Sequence, residues 1–338
     1  MPNAEKILIL GPAWVGDMVL AQSLFKTLKI NQPECIIDVA APAWTLPLLA
    51  RMPEVAGKIA LPFKHGELAF WQRIKFGKSL KNMGYTQSIV LTNSFKSALL
   101  PWAAGIKKRT GFLGEIRYGL LNDIRELDKT KLKKTVERFV TLGLEKGQNL
   151  PEIMPNPQLI TSPEAAWLLA CRAGVLNNKS NILGLCPGAE YGAAKRWPAE
   201  YYAEVANEAI KKGWQVLLFG SDKDIPVTRQ INALTQNKCV DLGGKTKLGE
   251  AIDLMSLCDT VISNDSGLMH IAAALDKKLI AIFGSSDPLH TPPISAKAVI
   301  EYLALECSPC FKRECPLAGD AHLACLKNIS PQMILSKI

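Results

Sequence analysis

Short runs of apolar residues, flanked by longer amphipathic stretches, recur along the chain in two blocks. Runs of this length that are apolar throughout are typical of parallel strands covered by helices on both faces. In the first block the pattern predicts strands at 6–10, 35–40 and 88–92 and helices at 18–28 and 68–83. In the second block it predicts strands at 182–186, 215–219, 260–263 and 279–283 and helices at 199–212, 248–258 and 268–275.

This alternation in two blocks indicates an α/β protein with two Rossmann-like, doubly wound domains. The join is expected near residues 149–157, which are rich in proline and lack periodicity. Residues 161–164 (TSPE) predict a helix start just after it. We therefore divide the chain into domains at 1–158 and 159–325 and a terminal helix at 326–338.

Polar segments, most of which contain glycine, follow the predicted strands. They lie at 11–17, 92–96, 187–197, 220–222, 264–270 and 284–287. Ligands of open α/β sheets bind beyond the carboxyl ends of the strands, so these segments are the candidate site. If the two domains face each other across a cleft, all six segments surround one cavity.

The segment 261–275 is the most informative of these, because a strand, a polar turn and an apolar helix follow one another. Asp265, Ser266 and Gly267 stand where the helix begins, and His270 follows in its first turns. Helix N-termini offer unpaired N–H groups and the positive end of a dipole, which suits a phosphate or pyrophosphate. The alternative is that Asn264, Asp265 or Ser266 simply caps the helix.

The chain has a formal net charge of +9, and its halves differ. Residues 1–160 hold 22 Lys and Arg against 13 Asp and Glu, whereas residues 161–338 hold 18 of each. A basic half suits an anionic partner such as a phosphorylated glycolipid, a membrane surface or nucleic acid. No apolar run approaches the ~18 residues that span a bilayer, and the first residues do not resemble a signal peptide. We therefore expect a cytosolic protein.

Four of the nine cysteines cluster near the end of the sequence, at Cys307, Cys310, Cys315 and Cys325, with His322 nearby. Their spacing could hold zinc or contain a redox pair, although it is not a common zinc spacing. Reduced packing thiols are the default interpretation, and the other five cysteines are expected in the core.

Several enzyme motifs are absent from the sequence. The GGKT at 243–246 lacks the first glycine of a P-loop, because that position is Cys239. No G-x-G-x-x-G, G-x-S-x-G or H-E-x-x-H occurs either. These absences argue against a dinucleotide dehydrogenase, a serine hydrolase of that type and a zinc peptidase.

Several long motifs, most of them at predicted strand ends, stand out in the sequence: GPAWVGDMVL at 11–20, APAW at 41–44, NSFKSAL at 93–99, RYGLLND at 117–123, PGAEYGAAKRWP at 187–198 and SNDSGLMH at 263–270. These motifs resemble the ADP-heptose–lipopolysaccharide heptosyltransferases of glycosyltransferase family 9, most closely the branch that adds the second heptose of the inner core. The resemblance extends to about residue 305, so the cysteine cluster departs from it.

The resemblance implies a GT-B architecture, with two Rossmann-like domains facing across a cleft. The first domain would receive the lipid A-linked acceptor and the second would bind ADP-L-glycero-D-manno-heptose. The terminal helix would cross back to the first domain. The reaction would invert the anomeric centre without a metal or other cofactor. The enzyme would work in the cytoplasm, peripheral to the inner membrane.

Inverting transfer needs a base for the acceptor hydroxyl and stabilisation of the departing diphosphate. Asp17 is the candidate base on the strength of the resemblance; the alternative is that it caps a helix beginning at Met18. The resemblance also implies Lys195 as the residue that contacts the diphosphate, and its ammonium is a compact charge that suits phosphate.

The remaining candidates are binding residues. For the donor they are Gly188, Ala189, Glu190, Ser221, Asp222, Asp265, Ser266, Gly267 and His270. For the acceptor, whose inner core carries carboxylates and phosphates, they are Asn93, Ser94, Lys96, Lys64, Arg73, Arg117 and Arg138. Trp71, Phe76 and Trp102 are expected in the core, although they could touch a membrane interface.

Other functions stay open. Transfer to the Kdo residue, as by a heptosyltransferase I, needs the same donor site, and a GT-B sugar-nucleotide epimerase would need no acceptor. A nucleic-acid binder would leave the segments around Asp17 and 264–270 without a purpose, so we expect no nucleic-acid partner.

Overall fold

The computed structural model describes residues 5–63, 66–175 and 180–338. The chain folds into two compact units, Met1–Pro157 and Gln158–Ile338. The division falls at the end of the segment rich in proline, close to the predicted boundary. Within the described ranges, no helix is long and apolar enough to cross a membrane.

The first unit is built on a six-stranded sheet in the order β3-β2-β1-β4-β5-β6, and every neighbouring pair is parallel. Its central strand is the apolar run that the sequence predicted, and Ile7, Leu8 and Ile9 are fully buried. The strands are β1 (Lys6–Leu10), β2 (Ile36–Pro42), β3 (Val55–Leu61), β4 (Gln87–Val90), β5 (Lys108–Phe112) and β6 (Asp123–Arg125).

The α-helices in the described part of this unit are α1 (Val15–Asn31), α2 (Leu46–Leu49), α3 (Phe70–Ser79), α4 (Phe95–Ala103) and α5 (Thr135–Leu142). α1 packs against α5, and α3 packs against α4. Gly77 permits the second contact, because a Cβ there would lie 2.6 Å from the Leu100 carbonyl oxygen. The helices therefore cover the sheet that the continuous apolar strands require.

The second unit repeats this architecture. Its sheet has the order β12-β11-β10-β7-β8-β9, again with parallel neighbours. Both orders reverse direction beside a central strand, as in doubly wound folds. The strands are β7 (Ile182–Cys186), β8 (Gln215–Leu218), β9 (Val240–Asp241), β10 (Thr260–Asn264), β11 (Lys278–Ile282) and β12 (Ala298–Glu301).

The first α-helix of the second unit begins where its sequence signal places it. Ser162 is the N-cap, and its hydroxyl accepts the Ala165 N–H at 3.2 Å. The helices of this unit are α6 (Pro163–Ala173), α7 (Ala199–Lys211), α8 (Ile225–Leu234), α9 (Leu248–Met255), α10 (Gly267–Ala274), α11 (Ala324–Lys327) and α12 (Pro331–Leu335).

The last residues of the chain, where the sequence predicted a terminal helix at 326–338, pack into the core of the second unit. Leu326, Ile329 and Ile334 are fully buried there, α12 packs against α7, and the Trp197 indole donates to the Ile329 carbonyl at 2.9 Å. Burial of these three apolar side chains stabilises the packing of the segment against the core. The periodicity of the segment itself does not predict this contact.

Candidate functional site

The strand order of the second sheet reverses between β7 and β10, which lie side by side. In doubly wound sheets a ligand crevice forms outside the carboxyl ends of the strands at this reversal. The segments that leave these two strands are 187–197 and 264–267, which are two of the polar segments that the sequence singled out.

Asp265 is the centre of the arrangement at this edge. Its Oδ2 forms an ion pair with the Lys195 ammonium and accepts the Ser286 hydroxyl. The Asp265 side chain is 6% exposed and that of Lys195 is 16% exposed, so the pair is largely shielded from water. The sequence singled out Asp265 and Lys195 individually, whereas Ser286, which follows the neighbouring strand β11, was included only within the segment 284–287.

Directly beyond Asp265, α10 begins with the backbone N–H groups of its first turn. Ser266 is the N-cap in an extended conformation, but in the described part of the chain its hydroxyl does not cap the helix. Its Oγ lies 3.3 Å from Ser263 Oγ instead. The N–H groups of the first turn, which starts at Gly267, are therefore not occupied by a capping side chain and suit an anion.

His270 is buried under this turn. Burial lowers the pKa of its imidazole to about 4; the Asp265 carboxylate opposes this shift and the Lys195 ammonium adds to it. No hydrogen-bond partner of its Nδ1 is found among the described residues. His270 is thus neutral at pH 7, so it adds no positive charge for a phosphate.

Asn264, which the sequence marked only as a possible helix cap, connects the two segments of the site. Its Oδ1 accepts the Trp197 N–H and the Tyr202 hydroxyl, each at 3.0 Å, and its Nδ2 donates to the Pro187 carbonyl at 2.7 Å. The residue is fully buried. Asn264 thereby holds both ends of the 187–197 segment that carries Lys195.

The other predicted donor residues of this segment follow β7 directly. Gly188 and Ala189 are buried and Glu190 is exposed. A Cβ on Gly188 would overlap the Asp224 carboxylate, so glycine is required at this position. Glu190 forms an exposed ion pair with Lys223.

Ser221 and Asp222 follow β8 and are exposed, as a ribose contact would require. Asp222 and Asp224 form an Asp-x-Asp sequence, a pattern that holds divalent ions in some glycosyltransferases. Here the Asp224 Oδ2 accepts the N–H and the hydroxyl of Ser221 at 2.9 and 2.8 Å. Asp224 Oδ2 therefore stabilises the turn that begins at Ser221.

In the first unit, Asp17 lies near the carboxyl end of β1. The helix α1 begins at Val15, with Trp14 as its N-cap residue, so Asp17 stands in the first turn. The alternative that Asp17 caps a helix beginning at Met18 is therefore wrong. Its side chain is half-buried, and the Trp44 indole donates to the Ala13 carbonyl at 3.0 Å within the same edge.

Asn93, Ser94 and Lys96 lie beyond β4, which pairs with β1, so they share the edge that carries Asp17. Asn93, Ser94 and Lys96 all keep part of their surface in solvent. The Phe95 N–H donates to the Glu115 carboxylate at 2.8 Å, and the Glu115 N–H donates to the Asn93 carbonyl at 3.1 Å. Polar side chains therefore cluster where the strand order of the first sheet reverses.

Two of the predicted acceptor residues are structural instead. Arg117 is fully buried, and its guanidinium donates to the Thr92 carbonyl at 2.7 Å and to the Phe112 carbonyl; burial lowers its pKa to about 10. Arg73 is 7% exposed and donates to the Leu68 carbonyl at 2.7 Å. Both predictions are wrong, because local carbonyl groups occupy these guanidinium groups.

The last two predicted acceptor residues are less informative. Arg138 is half-buried, and its Nε donates to the Leu132 carbonyl at 3.0 Å. That bond leaves part of its guanidinium for other contacts. Lys64 lies outside the described residues.

All nine cysteines lie in the described ranges and none forms a disulfide. Of the five expected in the core, Cys35, Cys186, Cys239 and Cys258 are buried, whereas Cys171 is exposed. Of the four clustered cysteines, Cys307 is exposed and the other three are half-buried. As the described chain stands, no group of three or more His, Cys, Asp or Glu side chains is arranged to hold a metal ion.

Comparisons with known proteins show the family to which this chain belongs. The profile of glycosyltransferase family 9 (heptosyltransferase) matches residues 73–320. The lipopolysaccharide heptosyltransferase 2 of Escherichia coli K12 is 45% identical over 98% of this chain and 97% of its own length. The lipooligosaccharide heptosyltransferase 2 of Haemophilus influenzae is 44% identical over 98% of both chains.

A solved structure shows the same relation. The E. coli ADP-heptose lipopolysaccharide heptosyltransferase II superposes with a TM-score of 0.87 at 43% identity and covers 98% of this chain and 97% of its own. The two parallel sheets thus have the GT-B fold that the sequence predicted. Together the profile, the identities and the fold place this chain in glycosyltransferase family 9, the heptosyltransferases.

Proposed function

We propose that this heptosyltransferase moves L-glycero-D-manno-heptose from ADP-heptose to the first heptose of the lipopolysaccharide inner core. The relatives named above carry heptosyltransferase 2 activity in their names. We propose further that the anomeric centre is inverted and that no metal takes part in the transfer.

The pairing of Lys195 with Asp265 beside the start of α10 carries the proposal. A diphosphate seated there meets one ammonium group and the N–H groups of the first helical turn. Lys195 has three donor hydrogens, so it can contact phosphate oxygens while it keeps its bond to Asp265. These contacts stabilise the charge that develops on ADP as it departs.

Asp265 would orient the sugar in this scheme. Lys195 and Ser286 both reach its Oδ2, so we assign Oδ1 to a heptose hydroxyl. Ser221 and Asp222 would contact the adenosine ribose, and the backbone at Gly188, Ala189 and Glu190 would line the pocket. The neutral His270 would hold the turn from below and make no charged contact with phosphate.

Asp17 would act as the base. Its carboxylate would take the proton of the acceptor hydroxyl while the oxygen attacks the anomeric carbon from the face opposite ADP. The C1–phosphate bond breaks as the new glycosidic bond forms, and ADP leaves with the electron pair. A half-buried carboxylate in the first turn of α1 has the exposure that such a contact needs.

For the acceptor, Asn93, Ser94 and Lys96 remain the best candidates, with Arg138 in support. Arg73 and Arg117 no longer belong to this set. We propose that the enzyme works at the cytoplasmic face of the inner membrane. Trp71 is 79% exposed and Trp102 is 46% exposed, contrary to the expected core positions, and exposed tryptophan suits the interfacial region of a bilayer.

An acceptor assay tests the proposal. The enzyme is incubated with ADP-heptose and with truncated core acceptors that carry no heptose or one heptose, and the products are analysed by mass spectrometry and NMR. Extension of the one-heptose acceptor, with the anomeric configuration opposite to that of the donor, supports it. Extension of the heptose-free acceptor alone indicates transfer to Kdo, and a changed nucleotide sugar without acceptor indicates an epimerase.

Asp17→Asn tests the base in the same assay. The variant should bind ADP-heptose nearly as well as the wild type but turn over ~10²-fold more slowly or worse, because general-base catalysis contributes about that factor. A turnover close to that of the wild type would remove Asp17 from the mechanism.

A further inference from the structure

The four clustered cysteines are not explained by heptose transfer. They lie in residues 307–325, here called the cysteine segment, which contains one 3-10 turn (Gly319–Ala321) and the start of α11. Whereas Cys186 and Cys258 are fully enclosed core thiols, the four clustered thiols are exposed or half-buried. Cys325 packs against the core of the second unit, but apolar burial does not account for Cys307, Cys310 and Cys315.

Hydrogen bonds fold the cysteine segment back on itself. The Leu323 N–H donates to Cys315 Sγ at 3.3 Å, which brings Cys315 beside the backbone that leads into Cys325. In the same place burial raises the pKa of the Cys325 thiol to about 11, with a further contribution from the charges of Cys307, Cys310 and Cys315.

Gly284, directly beyond β11, anchors the two ends of the cysteine segment. The Ser308 hydroxyl, between Cys307 and Cys310, donates to the Gly284 carbonyl. A Cβ on Gly284 would lie 2.7 Å from Leu326 and 3.2 Å from Cys325 Sγ. The Cys-x-x-Cys end and the Cys325 end thus converge on one residue of the sheet edge.

We propose that Cys307, Cys310, Cys315 and Cys325 bind one thiophilic divalent cation, with zinc as the probe, in a tetrahedral structural site. Four thiolates are a common ligand set of structural zinc, at Zn–S distances of about 2.3 Å. Without the ion the four described sulfurs do not form a ligand sphere, so binding must draw the half-buried thiols inward. His322 is not a ligand through Nδ1, because that atom lies 2.9 Å from the Leu317 carbonyl oxygen.

The bound ion would also stabilise the loops of the donor site. This consequence rests on the proposed function. Between Cys310 and Cys315, the Phe311 N–H donates to the Ser285 carbonyl at 2.7 Å, and the Phe311 carbonyl accepts the Tyr191 hydroxyl at 2.6 Å. The Arg313 carbonyl accepts the Ala194 N–H at 3.0 Å. These bonds join the segment to the neighbours of Ser286 and Lys195, the two partners of the Asp265 carboxylate.

Metal content tests the site without reference to activity. The full chain is purified under reducing conditions from zinc-supplemented cells and analysed by elemental mass spectrometry. We expect one zinc per chain, and Co²⁺ added to metal-free protein should give the absorption bands of tetrahedral thiolate cobalt. Cys310→Ser and Cys315→Ser should each lose the ion, whereas Cys171→Ser, an exposed cysteine outside the segment, should keep it.

Two results would overturn the proposal. One is folded wild-type protein that binds neither zinc nor Co²⁺ while its four thiols react freely with a thiol reagent. The other is a disulfide within the segment that persists in reducing buffer, detected by mass spectrometry. Circular dichroism of each variant separates loss of the ion from loss of the fold.

Enzyme kinetics test separately whether the bound ion stabilises the donor site. Cys310→Ser should raise the KM for ADP-heptose about tenfold or more, because small displacements of a positioned group are costly. Zinc bound by a chain that does not transfer heptose would refute the proposed function and leave the metal site intact. Heptose transfer by a chain that binds no metal would refute the metal site and leave the proposed function intact.

Discussion

Replacing Asn264 with alanine tests whether this buried amide holds the donor site together. The change removes the Asn264 partner of the Trp197 N–H, the Tyr202 hydroxyl and the Pro187 carbonyl, although the Tyr202 hydroxyl keeps a longer hydrogen bond of 3.4 Å to the Cys186 carbonyl. Each buried hydrogen bond contributes about 1 kcal/mol net, and a group left unpaired costs more. The three bonds together therefore predict a loss of about 3 kcal/mol or more in the free energy of unfolding.

Thermal unfolding followed by calorimetry measures this loss. For a unit of this size, 1 kcal/mol lowers Tm by about 2–4 °C, so Asn264→Ala should lower the Tm of the second unit by about 6–12 °C. Tyr202→Phe removes one of the three bonds and should lower Tm by about 2–4 °C. Asn207→Ala, a half-buried amide on α7 with a single long hydrogen bond of 3.5 Å, serves as the control.

The same variant should also weaken donor binding, because Trp197, whose N–H the amide holds, closely follows Lys195 on one segment. We expect the KM for ADP-heptose to rise severalfold at a temperature where the variant is folded. A Tm within about 2 °C of the wild type would show that Asn264 does not hold these loops, and would refute the reasoning.

Further expectations concern single charges and the reaction. Lys195→Ala should raise the KM for ADP-heptose and lower kcat, whereas Lys211→Ala, an exposed lysine paired with Glu208, should change neither. Burial keeps the folded pKa of His270 near 4, below its unfolded value, so stability should fall by up to about 3 kcal/mol as the pH drops from about 6.5 to 4. His270→Gln should flatten that part of a urea-denaturation profile against pH. Arg117→Ala should lower the free energy of unfolding by about 3 kcal/mol or more; a folded variant with normal Tm and raised KM for the acceptor would restore its predicted role. Adding or withholding Mg²⁺ should leave kcat unchanged, and dependence on Mg²⁺ would contradict a transfer without metal.

The strands that the apolar pattern missed share a physical cause. β3 alternates between half-buried and exposed residues, and β5 begins with Lys108 and Arg109, so neither has the continuous apolar run of a central strand. Both lie away from the centre of the sheet, where one face or edge meets solvent. The predicted helix at 68–83 begins later, at Phe70, because Ala69 adopts a left-handed conformation.

The sequence by itself determined the two α/β series, the positions of their central strands and the polar segments at the strand ends. These features are local, because an apolar run or a glycine-bearing turn depends only on nearby residues. The amino-acid pattern alone therefore singled out Asp265 and the first turn of α10 as candidates, whereas Lys195 was singled out through the family resemblance.

Only the tertiary structure decided which polar groups are available and which are already bonded. Arg117 and Arg73 look like ligand-binding cations in the sequence, but carbonyl groups of the folded chain occupy them. Asn264 and Ser286 look unremarkable, yet they hold segments that are distant in sequence. Burial and pairing depend on contacts between remote residues, and an amino-acid pattern read along the chain does not contain them.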